Sequence, residues 1–123
     1  MLIDSNIAIY ASQSQHIALR LFLDSVSRSV SIVSYVEALG YHRLTVDAEN
    51  YITDFFRGSI ILPLTDAVAN QAIALRQQRR MGLGDAIIAA TAIVHNLTLV
   101  THNTEDFRWI ANLELLDPLE NNQ

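Results

Sequence analysis

The sequence predicts an α/β fold: a central, mostly parallel sheet of four to five strands in a three-layer α/β/α arrangement. Three observations predict it. Short β-branched runs alternate with helical segments along the chain, and parallel neighbours need crossover connections of that kind. Half of the 123 residues are hydrophobic, enough for one sizeable core, which is expected to form a single domain over residues 1–123. Only 4 Gly and 2 Pro are present and charged residues make up 17%, which argues against disordered, collagen-like and low-complexity classes.

The elements follow in order. Leu2-Ile3 is an apolar first strand, and Asp4-Ser5-Asn6 ends it and caps a helix continuing through Ile7, Ile9 and Tyr10. Ser14 is placed to cap a second helix with an apolar stripe of Ile17, Leu19, Leu21, Phe22 and Val26. Val30 to Val33 has the composition of a strand, and Ser34-Tyr35-Val36-Glu37 matches a capping box opening a helix to about Leu44. Asp47 begins the next helix, with Ile52, Phe55 and Phe56 inward and Gly58 as its stop. Ser59 to Leu62 is the third strand. Thr65-Asp66 then caps a long helix with Val68, Ala72, Ile73 and Leu75 inward, ending in Arg76, Arg79 and Arg80. Gly84-Asp85 opens a helix that is apolar nearly all round from Ala86 to Val94 and should lie deep. Leu97 to Val100 and Leu113 to Leu116 are the remaining strands, and Glu120 to Gln123 is expected to fray.

Composition narrows the chemistry. The chain contains no cysteine, which excludes disulfides, zinc–thiolate sites and cysteine nucleophiles and suits a reducing cytoplasm. It contains no lysine, so Schiff-base chemistry is excluded, and it has no G-x-S-x-G elbow or Walker A loop. The start carries no basic segment of a signal peptide, and the uncharged stretch Ala86 to Thr104 is too polar to span a membrane. A net charge of −5 speaks against a strong non-specific grip on phosphate backbones, so any nucleic-acid contact must be local.

In open α/β sheets, ligands bind beyond the carboxyl ends of the strands. Asp4, Glu37, Asp85 and Asp106 follow strands or open helices there, with Asn103 near Asp106. Each alone has a structural explanation as a cap or a dipole partner. Converging carboxylates repel unless a proton or cation intervenes, and hard oxygen donors favour Mg²⁺ or Mn²⁺, as one ion or two. Phosphodiester hydrolysis is the leading chemistry for such a site.

Asp4-Ser5-Asn6, Glu37, Gly82-Leu83-Gly84-Asp85-Ala86 and Leu97-Thr98-Leu99-Val100-Thr101-His102-Asn103-Thr104-Glu105-Asp106-Phe107, in this order and spacing, resemble the PIN-domain ribonucleases, especially VapC-like toxins of toxin–antitoxin pairs. The resemblance spans nearly the whole chain and extends to the ending Leu113 to Pro118. It implies a PIN-like fold and endonucleolytic RNA cleavage at a Mg²⁺ or Mn²⁺ site. Asp4, Glu37, Asp85 and Asp106 would be catalytic, Asp4, Asp85 and Asn103 would hold metal, and Ser5 and Thr101 would support them. The fourth site position falls to Asn103 or Asp106. The resemblance also implies a homodimer and inhibition by a cognate antitoxin.

Arg79, Arg80, His102 and Arg108 are the candidate RNA contacts, although arginines closing a helix also serve its dipole. Phe107 and Trp109 could stack on bases, but lone aromatics beside a terminal strand are usually core and are read as such, and His16, His42 and His95 are read as packing or surface residues. A competing reading is a catalytically weak or inactive PIN-fold protein-binding module, motivated by the amide at Asn103 and the low basicity. A receiver-like phosphoacceptor ranks lower, because the chain lacks an acid pair after the first strand and any lysine. The apolar content and few charges of the first two helices point to a dimer surface.

Overall fold

The computed structural model describes residues 1–119, and the expected frayed end lies outside them. Twelve elements run in order: β1 (Leu2–Ile3), α1 (Ser5–Ala11), α2 (Ile17–Asp24), β2 (Ser29–Ser31), α3 (Ile32–Leu39), α4 (Val46–Arg57), β3 (Ile60–Leu62), α5 (Asp66–Gln78), α6 (Leu83–Val94), β4 (Leu99–Val100), α7 (Thr104–Phe107) and β5 (Leu115–Leu116). The five strands form one sheet, ordered β3-β2-β1-β4-β5, and every pairing is parallel. The chain builds outward from β1 to β3 on one side and then crosses to β4 and β5 on the other. The switch point therefore lies between β1 and β4, where Leu2 pairs with Leu99 and Ile3 with Val100.

Strand alternation divides the core. Leu2 and Leu99 point to a face covered by α5 and α6, with Val68, Leu75, Ile88 and Phe107 buried around them. Ile3 and Val100 point to the other face, packed by Ile7, Leu19, Leu23, Ile52, Phe55 and Phe56 from α1, α2 and α4. The expected three layers are present. Helix α6 is buried from Ala86 to Ala92, as its all-round apolarity requires, and Thr91 satisfies its hydroxyl by donating to the Ile87 carbonyl at 2.7 Å. The helix ends on Asn96, whose φ of 53° is left-handed, with Leu97 N–H donating to Ala92 O and Asn96 N–H to Ile93 O.

Several local expectations are corrected. Ser31, not Ser34, caps α3 by accepting from Val33 N–H, so β2 ends two residues earlier than its β-branched run suggests. Glu37 is consequently the sixth residue of α3 instead of a first-turn capping partner, and the helix stops at Leu39 before Gly40. Thr45 caps α4 where Asp47 was expected to begin it, and His16, not Ser14, precedes α2. Ile17, Leu21 and Ile73 are exposed, not inward. Strands β4 and β5 are each shorter by two residues at the start, and the short helix α7 was not anticipated.

Candidate active site

Asp4 follows β1 and caps α1, so two purposes act on one side chain. Its Oδ1 accepts from Ser5 N–H at 2.8 Å, and its Oδ2 accepts from Thr101 Oγ1–H at 2.8 Å. Thr101 follows β4, so this bond closes the switch point from both adjacent strands. Thr101 Oγ1 in turn accepts from Asn103 N–H at 3.1 Å, which fixes the start of the loop after β4. Asp4 is only 4% exposed and Thr101 is fully buried.

Glu37 reaches the same place from α3. Its Oε1 accepts from Ser5 Oγ–H at 3.0 Å, so Ser5 links the Asp4 and Glu37 carboxylates through its main chain and side chain. On the other side stands the first turn of α6. A Cβ at Gly84 would lie 3.0 Å from Glu37 Oε2, so glycine lets that turn come close to the carboxylate. Asp85 sits next in this turn. It lines a cleft of about 180 Å³ with Arg79, Arg80, Glu105, Asp106 and Trp109.

The charges interact as their proximity dictates. Burial pushes the Asp4 carboxyl up to about 6, and Asp85 and Glu37 push the same way, while the Thr101 and Ser5 hydrogen bonds oppose them. Burial also raises Asp85, with Asp106 and Glu37 adding repulsion. Asp4, Glu37, Asp85 and Asp106 thus form one electrostatic chain, Asp106 joining it through Asp85. Among the described residues no three carboxylate or imidazole groups close on one point as a preformed cage. The donors are all hard oxygens, which suits a cation that keeps several waters and takes one or two carboxylates directly.

The PIN domain family model matches residues 1–113. The chain belongs to the PIN domain family. Ribonuclease VapC10 of Mycobacterium tuberculosis is 32% identical to this PIN domain over 93% of the chain and 90% of its own length. A toxin–antitoxin complex from Klebsiella pneumoniae superposes with a TM-score of 0.73 at 30% identity, covering 95% of this chain and 96% of that one. DNA-bound VapBC from Salmonella typhimurium has a TM-score of 0.80 at 18% identity, over 95% and 96% of the two chains, and shares the fold.

The remaining residues singled out from the sequence are placed around this PIN domain's rim. Asn103 and Asp106 line a second, outer cleft with His102, Arg108 and Asp117. Asn103 meets Thr101 through its main chain. His102 does not point free into that cleft: its Nδ1 lies 3.0 Å from Oδ2 of Asp117, which is buried and whose Oδ1 accepts from Leu119 N–H. Arg108 donates to Thr104 Oγ1 at 3.1 Å. Sequence reasoning gave no role to Asp117 and took Gly84 only as opening the helix within its motif, not as the point of approach to Glu37. An acid directly before proline after the last strand, and a glycine directly before Asp85, were the available signals. Phe107 is core as expected, whereas Trp109 is only half-buried and faces the cleft of Asp85.

Proposed function

We propose that this PIN domain, taken as one unit over residues 1–123, is the toxin of a toxin–antitoxin pair: an endoribonuclease that hydrolyses RNA phosphodiester bonds and is inhibited by a cognate antitoxin. The observation that carries the reading is a buried Asp4 held at the switch point between β1 and β4 within the field of Glu37 and Asp85. An uncharged cap would serve α1 as well, and the PIN relatives named above include a ribonuclease and a toxin–antitoxin complex.

The residues divide the work by position. Asp4, Glu37, Asp85 and Asp106 form the catalytic set, and Asp4 and Asp85, with Asn103, would hold Mg²⁺ or Mn²⁺. When bound, such a cation lowers the pKa of water and stabilises charge developing on the phosphoryl oxygens. Ser5 and Thr101 aim both oxygens of Asp4, so the carboxylate has one orientation. Arg79 and Arg80, at the mouth of the cleft of Asp85, receive the RNA backbone, and His102 and Arg108 flank the outer cleft.

The antitoxin and a second copy of the chain are the proposed protein partners. Exposed Ile17, Leu21, Val36 and Val46 supply apolar surface for them. No helix of the described residues is long and apolar enough to cross a membrane, and the proposed compartment is the cytoplasm, where the RNA is. Sedimentation should show a dimer at micromolar concentration; a monomer removes that partner.

The test is cleavage of a panel of structured RNAs by the purified chain, with Mg²⁺ or Mn²⁺ and with chelator, beside Asp85→Asn. Cutting that needs metal and is lost in the variant supports the reading. An intact, antitoxin-binding chain that cuts nothing with either metal overturns it in favour of a binding module.

A further inference from the structure

Trp109 is the chain's only tryptophan. Its ring packs in part against the core around Phe107 and Ile110, and in part lines the cleft of Asp85. The orientation is fixed, because its Nε1–H donates to the Asp106 carbonyl at 3.0 Å. The Arg79 guanidinium stands 5.6 Å from the ring centroid. Arg79 is exposed, and among the described residues it makes no ion pair, although Asp85, Glu105 and Asp106 line the same cleft.

Core packing, the bond to Asp106 and the guanidinium over its ring hold Trp109 in place, and held there both side chains line the cleft of Asp85. An aromatic serving the core alone sits under cover, as Phe107 does. We propose that Trp109 and Arg79 form a stacking ledge for an unpaired nucleobase of RNA next to the phosphate presented to Asp85. The proposal rests on the nuclease reading and names the substrate feature that the site accepts.

The chemistry of the ledge sets its selectivity. Aromatic and guanidinium planes stack on any base, but a duplex hides the faces they need. The indole N–H is already spent on a main-chain carbonyl, so the ring offers no hydrogen bond to a base edge. The ledge therefore separates unpaired from paired RNA and reads little of base identity. Arg79, with Arg80, also brings positive charge to a cleft that Asp85, Glu105 and Asp106 line, in a chain of net charge −5.

The test uses the chain carrying Asp4→Asn, expected to bind RNA without cutting it, in Mg²⁺. It is titrated with a short unstructured oligoribonucleotide and with a blunt duplex of the same sequence, and Trp109 emission is followed. The single strand should quench the emission and the duplex should not. Adding Trp109→Ala should weaken single-strand binding about tenfold, measured by anisotropy of a labelled oligonucleotide, while Trp109→Phe keeps most of the affinity. Arg79→Ala should also lower the salt dependence by about one phosphate contact, which Trp109→Ala leaves unchanged. Absence of quenching, or a thermally intact Trp109→Ala chain that binds the single strand as tightly as its parent, overturns the ledge. If the otherwise unaltered chain cuts RNA in either of those cases, the nuclease reading survives alone. If it cuts nothing, that reading fails and the ledge as part of a cleavage site fails with it, quenching by the single strand then marking an RNA-binding surface alone.

Discussion

The apolar floor of the sheet and its carboxyl-terminal rim are separated by one residue in each of two strands. Leu2, Ile3, Leu99 and Val100 are buried and surrounded by apolar side chains on both faces. Asp4 and Thr101, the next residues along, are buried to almost the same degree. On the floor, burial removes apolar surface from water and stabilises the fold by about 25 cal/mol per Å². On the rim, burial disfavours the ionised carboxylate and raises the Asp4 carboxyl to about 6. Equal burial thus acts in opposite senses one residue apart, favouring the apolar floor and disfavouring the charged form of Asp4.

The largest effect on this contrast should come from the rim. Asp85→Asn keeps the size of the side chain in the first turn of α6 and removes one of the coupled charges. RNA cleavage should fall at least about a hundredfold with the unfolding midpoint unchanged or raised, as rate assays beside thermal melts would show. A variant that cuts at the parent rate breaks the assignment of the rim as the site.

The floor should answer in stability. Leu99→Ala removes a fully buried side chain between β1 and β5 and should cost about 3 kcal/mol in denaturant unfolding. Its cleavage rate, corrected for the folded fraction, should remain near that of the parent.

Thr101→Val joins the two regions, because it keeps the shape of the buried side chain and deletes the hydroxyl that donates to Asp4 Oδ2. That bond lowers the Asp4 pKa, so its loss should raise the pKa further. The variant should lose on the order of 1–3 kcal/mol near pH 7.5 and less near pH 4, where Asp4 is protonated and the loss that remains includes the acceptor for Asn103 N–H, which does not depend on pH. Stability measured at the two values checks the sign. The smallest effect is expected at the opposite end of α6: Asn96→Ala places a non-glycine residue without a polar side chain at a φ of 53° and should cost about 1 kcal/mol, leaving the pH response unchanged.

The floor was legible from the sequence because it follows periodicity. The strand runs, the deep helix from Ala86 and the caps at Asp4, Thr65 and Gly58 rest on local chemistry that short windows contain. The boundary at Ser31 was missed because Ser34 matches the capping pattern equally well, and only the register of β2 against β3 decides where the strand ends. The rim was legible as a set of acids after strands, since the fold class places such residues on one edge. Its couplings were not, because the Thr101–Asp4 bond spans 97 positions and depends on strand order. The exposed side of Trp109 was hidden for a related reason. A lone aromatic carries no periodicity, and its place at the cleft depends on the approach of Arg79, just after α5, to the ring.

The most direct measurement is the unfolding free energy of Asp4→Asn against the parent, in chelator, near pH 4 and near pH 7.5. Asparagine keeps the N-cap and carries no charge. With the folded pKa raised, Asp4 favours the folded state below its ordinary value of 3.8, and that contribution is lost as pH rises through about 6. The account predicts a variant that is more stable than the parent by on the order of 2–3 kcal/mol near pH 7.5, equal to it near pH 4, and inactive. A parent as stable as the variant, or more so, near pH 7.5 would contradict it, because Asp4 would then be a structural cap and not a charge held for chemistry.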